Sequence, residues 1–328
     1  LTENMDKSQW YFDKNICLDF THGLPQISES NMDATASESS VCNSNGTILF
    51  YTDGKNIWNG NHVLQSDTLE TASNKGTIIL KFSEYKYAIV TLTTGNILKS
   101  KVIDIVNNNL TIRETTTIYQ DNELYGLTAI PSTDGKYWLL SSVKINSIYS
   151  PIIMKVNLGG NNQSIICEQT NIINYEFGAQ RCTSIKSSPD SKFVVFGIYN
   201  NGYRLMRFNA KTGILKATSC TIQSSAKNPS MAFSPNGRFL YVVTGTPVLE
   251  QIDLKNYNNC SCNIESKIIF DKTNEYDEYS EYFKTQINLQ EGPDGKIYIS
   301  RDSREVFSNS RMLGVISEPN IKANTNIN

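Results

Sequence analysis

The sequence predicts an all-β chain folded as a single β-propeller over residues 1–320, with six blades read from it and seven as the alternative count. Three observations carry this reading. A turn motif recurs along the chain, a β-branched or aromatic run follows each copy, and no long stretch shows the 3.6-residue apolar period of an amphipathic helix. The copies are Ser44-Asn-Gly46 before Ile48–Tyr51, Thr133-Asp-Gly135 before Tyr137–Leu140, Ser188-Pro-Asp-Ser191 before Phe193–Phe196, Ser234-Pro-Asn-Gly237 before Phe239–Val242, and Gly292-Pro-Asp-Gly295 before Ile297–Ile299. A degenerate sixth copy, Phe82–Lys86, precedes Tyr87–Val90.

Each element has a local cause. Asn-Gly and Asp-Gly accept the positive φ of a tight hairpin turn, and a proline just ahead presets φ for it. The run of Val, Ile, Phe, Tyr and Trp that follows suits a buried strand. Downstream of every copy lies a shorter echo strand: Ile57–Asn59, Val102–Asp104, Lys155–Asn157, Arg207–Asn209, Gln251–Asp253 and Gly314–Ile316. A further outer strand follows in places, such as Thr111–Tyr119 or Ser266–Phe270. Four strands per unit at a period of roughly 40–50 residues is the pattern of propeller blades. The last unit has a hairpin and an echo but no outer strand after them. The strand-like N-terminal segment, Trp10–Phe12 with Cys17–Phe20, is therefore expected to complete the last blade and cover its open edge. Residues 321–328 read as a polar tail.

Composition removes several function classes. The 328 residues carry 30 basic and 32 acidic side chains, a net charge of −2, which is not the basic excess of a nucleic-acid binder. No apolar run approaches the ~18–20 residues needed to span a bilayer, so membrane insertion is not expected. Only two histidines are present, His22 and His62, too few for a multi-histidine metal site. No Gly-rich phosphate loop, Gly-x-Ser-x-Gly elbow or His-Glu-x-x-His occurs, and no cofactor is expected.

Cysteines and sequons point toward a secretory route. Seven cysteines stand at Cys17, Cys42, Cys167, Cys182, Cys220, Cys260 and Cys262, with no Cys-x-x-Cys among them. They are disulfide candidates, with buried thiols of a reducing compartment as the alternative. Asn45, Asn109, Asn162 and Asn259 each head an Asn-x-Ser/Thr sequon and are glycosylation candidates, whereas Asn228 is excluded by Pro229. A chain starting at Leu1 fits either a removed signal peptide or a truncated sequence. A secreted or cell-surface location is the expectation.

Beyond these patterns, Trp10-Tyr-Phe12, Leu18-Asp-Phe20, Ser44–Gly54, Ile57–Asn59 with Asn61-His62, Gly292–Tyr298, and Leu313–Ile316 with Pro319-Asn320 resemble a family of secreted, WD40-like β-propellers. In Bacteroidetes-type bacteria these precede adhesion-like modules and outer-membrane secretion signals, often in gliding-motility-associated surface proteins. The resemblance spans nearly the whole chain. It implies a propeller with a surface or adhesive role and carries no catalytic residue over. This chain departs from the family in its richer cysteine content and in stopping without a sorting module.

Individual candidates each have a plainer reading beside the functional one. Asp53-Gly54 reads as a hairpin turn. His62 beside Trp58 reads as packing between blades, or as part of a ligand pocket. Trp138 lies in a buried run and reads as core. The segment 271–283 gathers Glu275, Tyr276, Asp277, Glu278, Tyr279, Glu281 and Tyr282, an acidic-aromatic loop suited to a protein partner. Calcium is an alternative there, although the spacing is not that of a calcium loop. The function expected is non-enzymatic: an extracellular structural or adhesive module that binds protein partners or copies of itself, including assembly into a surface layer or filament. A carbohydrate-binding or carbohydrate-active propeller is the alternative, with Asp104 and Asp253 at the ends of echo strands as its candidate acids.

Overall fold

The computed structural model describes residues 7–323 except 13, 34–36, 66–68, 70–71, 108, 225–228, 246–247, 256, 258–264, 272–286 and 302–312. Two compact units divide the chain, 1–179 and 180–328. All regular structure in them is antiparallel β, and no α-helix occurs among the described residues.

Four sheets make up the first unit. The first is β1 (Gln9–Phe12), β2 (Lys14–Asp19) and β3 (Gln26–Asp33), and the second is β4 (Ser39–Cys42), β5 (Ile48–Thr52) and β6 (Ile57–Asn59). In the third, β7 (Ala72–Ser83), β8 (Lys86–Thr93) and β9 (Leu98–Val106) pair in sequence, and both β10 (Asn109–Ile112) and β11 (Thr116–Tyr119) then pair with β9. The single outer strand expected over Thr111–Tyr119 is thus two short ones. In the fourth, β12 (Leu124–Pro131), β13 (Tyr137–Ile145), β14 (Ile148–Leu158) and β15 (Ile165–Ile172) lie in chain order.

The second unit holds three sheets. They are β16 (Cys182–Ser187), β17 (Phe193–Ile198), β18 (Gly202–Asn209) and β19 (Ile214–Ile222); β20 (Met231–Phe233), β21 (Phe239–Gly245), β22 (Val248–Asp253) and β23 (Glu265–Asp271); and β24 (Ile287–Glu291), β25 (Ile297–Arg301) and β26 (Leu313–Ile316). Apart from β11, which returns to pair with β9, strands that are neighbours in sequence are neighbours in each sheet, so short turns suffice and closing each costs little entropy.

Among the described residues the count of sheets is seven, not six, and the N-terminal strands, expected to complete the last blade, pair with one another instead. Trp10 pairs with Leu18 and Phe12 with Ile16 in a local hairpin, extended where the Phe20 amide donates to Ser8 at 2.8 Å. Among the described residues the last sheet contains only β24, β25 and β26. The physical reason lies in β3. Gln26–Glu29 are exposed, while Ser30 and Met32 are buried, so this strand lacks the apolar run that flags the others. Without it the first hairpin looked like half a sheet in search of a partner.

The turn motif is borne out in its hydrogen bonds. The amide of Gly46 donates to Asn43, Gly135 to Ser132, Ser191 to Ser188, Gly237 to Ser234 and Gly295 to Gly292, at 2.8–3.3 Å. All five donors sit at positive φ, the four glycines at 70–82° and Ser191 at 57°. The residue just before each in the last three copies, Asp190, Asn236 or Asp294, accepts the amide of the residue after the turn through its Oδ1.

Strands that read as continuous apolar runs do so because both of their faces are buried. In β5, Ile48 and Tyr51 join Tyr11, Cys17, Met32, Cys42 and Trp58 in one core. Phe50, between them, joins Tyr87, Ile89 and Ile103 in the next. In β21, Leu240 and Val242 pack with Tyr203 and Leu205, while Phe239, Tyr241 and Val243 pack with Leu289 and Ile297. Residues of one strand therefore serve two different cores, each between consecutive sheets of a unit, with strict alternation along β21.

Candidate functional site

Three of the residues singled out in the sequence, Asp53, His62 and Trp138, have structural partners. The Oδ1 of Asp53 accepts the amides of Lys55 and Asn56 at 2.8 and 2.6 Å, and its Oδ2 accepts the Asn56 side chain, which is turn chemistry. His62 Nδ1 lies 3.1 Å from the Tyr51 hydroxyl, and its carbonyl accepts Asn31 Nδ2 at 2.9 Å. Tyr51 in turn stacks on Tyr11 (4.1 Å) and Trp58 (5.3 Å), so His62 pins the first sheet to the second. Trp138 is buried, with the Lys155 ammonium 5.0 Å from its ring centre.

No disulfide joins Cys17, Cys42, Cys167 and Cys182. Burial pushes the Cys42 thiol up to about 11 and raises that of Cys17 as well. Asn45, Asn109 and Asn162 are exposed, at a turn, a strand start and a turn. The side chain of Cys220, and Cys260, Cys262, Asn259 and the loop bearing Glu275, Tyr276, Asp277, Glu278, Tyr279, Glu281 and Tyr282, lie outside the described residues.

The two candidate acids are committed to ion pairs. Arg238 reaches Asp253 at 2.8 Å through Nη2 and at 3.2 Å through Nε. That pairing outweighs burial and holds the Asp253 carboxyl below the usual carboxylate range. For Asp104, burial works to raise the carboxyl, but hydrogen bonds from Lys86 and Arg113 prevail and lower it. Carboxyls held down in this way are ionised at neutral pH and make poor general acids. In both pairs a basic residue at the turn meets the acid that closes the echo strand, Lys86 with Asp104 and Arg238 with Asp253, across two adjacent strands.

Two open recesses among the described residues lie in the first unit. One of about 420 Å³ runs between β11 and β15, lined by Thr117–Asp121 on one side and Cys167–Thr170 on the other. β15 ends its sheet, and Glu168, Gln169 and Thr170 are exposed. Both strands carry a register break here, between Thr117 and Tyr119 in β11 and opposite Lys155 and Val156 in β15, which leaves Ile118 and Glu168 as the extra residues. Hydrophobic patterning could not flag this groove, because polar strand edges carry no periodic signal. The second recess, about 360 Å³, gathers Lys86, Asp104 and Arg113 beside the 159–164 turn. Among the described residues no group of three or more His, Cys, Asp or Glu is placed to hold a metal ion.

With this geometry in hand, comparisons with known proteins bear on the fold. No protein-family model matches the sequence, and no curated protein matches it. Solved structures do match. The β-propeller domain of Myceliophteria thermophila Cps50 (Swd1) superposes with a TM-score of 0.56 at 8% identity, over 92% of that chain and 93% of this one. The fold is a β-propeller. A Bacteroides fragilis protein assigned provisionally as a 6-phosphogluconolactonase is also similar, with a TM-score of 0.52 at 12% identity, covering 92% of this propeller and 89% of that chain. At such identities the likeness concerns the fold alone, and the activity of the propeller has to be argued from its own residues.

Proposed function

We propose that this propeller is a non-catalytic, secreted or cell-surface interaction module that binds an extended polypeptide segment, on a partner or on a second copy of itself, along the outer edge of β15. One observation carries the reading: an open groove flanked by two outer strands, β11 and β15, with no strand beyond β15 among the described residues. A strand edge offers main-chain N–H and C=O groups that an incoming extended segment can satisfy, and the bulges at Ile118 and Glu168 limit indiscriminate pairing. The exposure of Asn45, Asn109 and Asn162 supports the extracellular part of the reading, as does the resemblance to secreted surface propellers.

Sedimentation velocity of the purified chain across micromolar concentrations tests the self-association arm. Association that disappears when Thr117 and Thr170 are both changed to Arg supports the reading. A chain that stays monomeric throughout and hydrolyses 6-phosphogluconolactone overturns it. The location is tested by intact mass before and after deglycosylation, and an unmodified chain from its native source counts against secretion.

A further inference from the structure

We propose that the recess around Lys86 and Arg113 binds an acidic sugar, a ring bearing a carboxylate or a sulfate, at a site independent of the β15 groove. Charge is the first ground. Within the recess stand two cations, Lys86 and Arg113, and a single carboxylate, Asp104, a surplus of one positive charge. The neighbouring Glu84 is turned to Lys81 at 2.8 Å and does not cancel it.

Unspent donors are the second ground. Arg113 places Nε 2.9 Å and Nη2 2.8 Å from Asp104 Oδ2, which uses two of its five N–H groups. Lys86 donates to Asp104 Oδ1 and, at 3.2 Å, to the Asn162 carbonyl, which leaves one of its three. Asp104 therefore holds both cations in place without exhausting them, so an incoming oxyanion meets donors whose side-chain freedom is already lost.

The walls give the third ground. Ser83 and Thr111 bring hydroxyls, and Asn161 and Gln163 bring side-chain amides, the partners that sugar hydroxyls require. Tyr85 is 71% exposed at the same recess and offers a ring face to the apolar side of a pyranose. A volume of about 360 Å³ is larger than an inorganic anion and falls at the small end of ligand pockets.

Titration of ¹⁵N-labelled protein with glucuronate, glucose 6-sulfate, glucose and inorganic sulfate, followed by amide and Arg Nε shifts, is the test. Saturable shifts at residues 83–86, 111–113 and 161–163 with glucuronate or glucose 6-sulfate, and none with glucose, are expected. The stronger of the two acidic sugars identifies the anion as carboxylate or sulfate. Tyr85→Ala and Lys86→Gln should each weaken binding by about tenfold. Tyr85 is exposed, so its variant reads out even where changes in the ion cluster disturb folding. No saturable shift up to about 10 mM, equal binding of glucose, inorganic sulfate binding as tightly as the sugars, or indifference to Tyr85→Ala and Lys86→Gln overturns the proposal.

Discussion

The Gln251 side chain donates to the Tyr241 hydroxyl at 2.7 Å in the interior of the β20–β23 sheet. Its second N–H donates to the Ile321 carbonyl at 2.8 Å, and its Oε1 accepts the Ala323 amide at 2.8 Å. Lys267 adds a bond to the Ala323 carbonyl at 2.6 Å, and the Tyr241 hydroxyl donates to Pro319 at 3.0 Å. One nearly buried amide thus fastens residues 319–323 to the sheet.

Replacing Gln251 by Leu removes its three bonds while keeping bulk, leaves the Tyr241 hydroxyl with only its bond to Pro319, and leaves the Ile321 carbonyl and the Ala323 amide short of a partner. A loss of about 1–3 kcal/mol is expected in urea unfolding. Faster hydrogen exchange at Ala323 should accompany it. Unchanged stability and unchanged exchange would mean that the segment is held by other contacts.

Turn geometry makes a second prediction. Gly237 sits at φ 70° in the β20–β21 turn, and Ser191 takes the same place in the β16–β17 turn at φ 57°. Gly237→Ala should destabilise by about 1 kcal/mol or more, because a Cβ disfavours that φ. Ser191→Gly relieves the same strain and should cost far less or stabilise, which paired denaturation curves will show.

Acid should weaken the fold through its paired carboxylates. The Lys155 ammonium, with help from Ser132, holds Asp134 down to about 2, and Asp104 and Asp253 are lowered as argued above. Each has a folded pKa below its unfolded value near 3.9, so its contribution is complete above pH 4 and is lost as pH falls toward 2. Urea midpoints measured from pH 6 to pH 2 should stay level with respect to these groups above 4 and drop below it. Asp253→Asn should shrink that drop, and an unchanged acid limb would exclude this pair as a cause.

Thiol labelling gives a fourth check. Cys17 and Cys42 are buried with raised thiol pKa values, whereas Cys167 is half-buried at the groove. Iodoacetamide at pH 8 with peptide mapping should modify Cys167 well before Cys17 or Cys42, and all three at similar rates in urea. Rapid labelling of Cys42 in the native protein would contradict its burial.

How far the sequence reached can be judged at single positions. Asp53 and the glycines at 46, 135, 237 and 295 were legible because a turn is a local event, decided by which residues accept positive φ or cap a neighbouring amide. Phe193–Phe196 and Phe239–Val242 were legible because burial on both faces demands an unbroken apolar run. β3 was not legible, since Gln26–Glu29 face outward and a strand edge can be satisfied by polar residues. The commitment of Asp104 to Lys86 and Arg113, residues 18 and 9 positions away, was not legible either.

By itself, then, the amino-acid order determined that the chain is all β, where its turns fall and which strands are sandwiched between two cores, because those properties depend on neighbours in sequence and on burial pattern. Only the tertiary structure decided that there are seven sheets, that the N-terminal strands pair with one another, and which charges and strand edges remain available to a ligand. Those outcomes depend on contacts between residues far apart in the chain, whose free energies are comparable for several pairings until packing selects one.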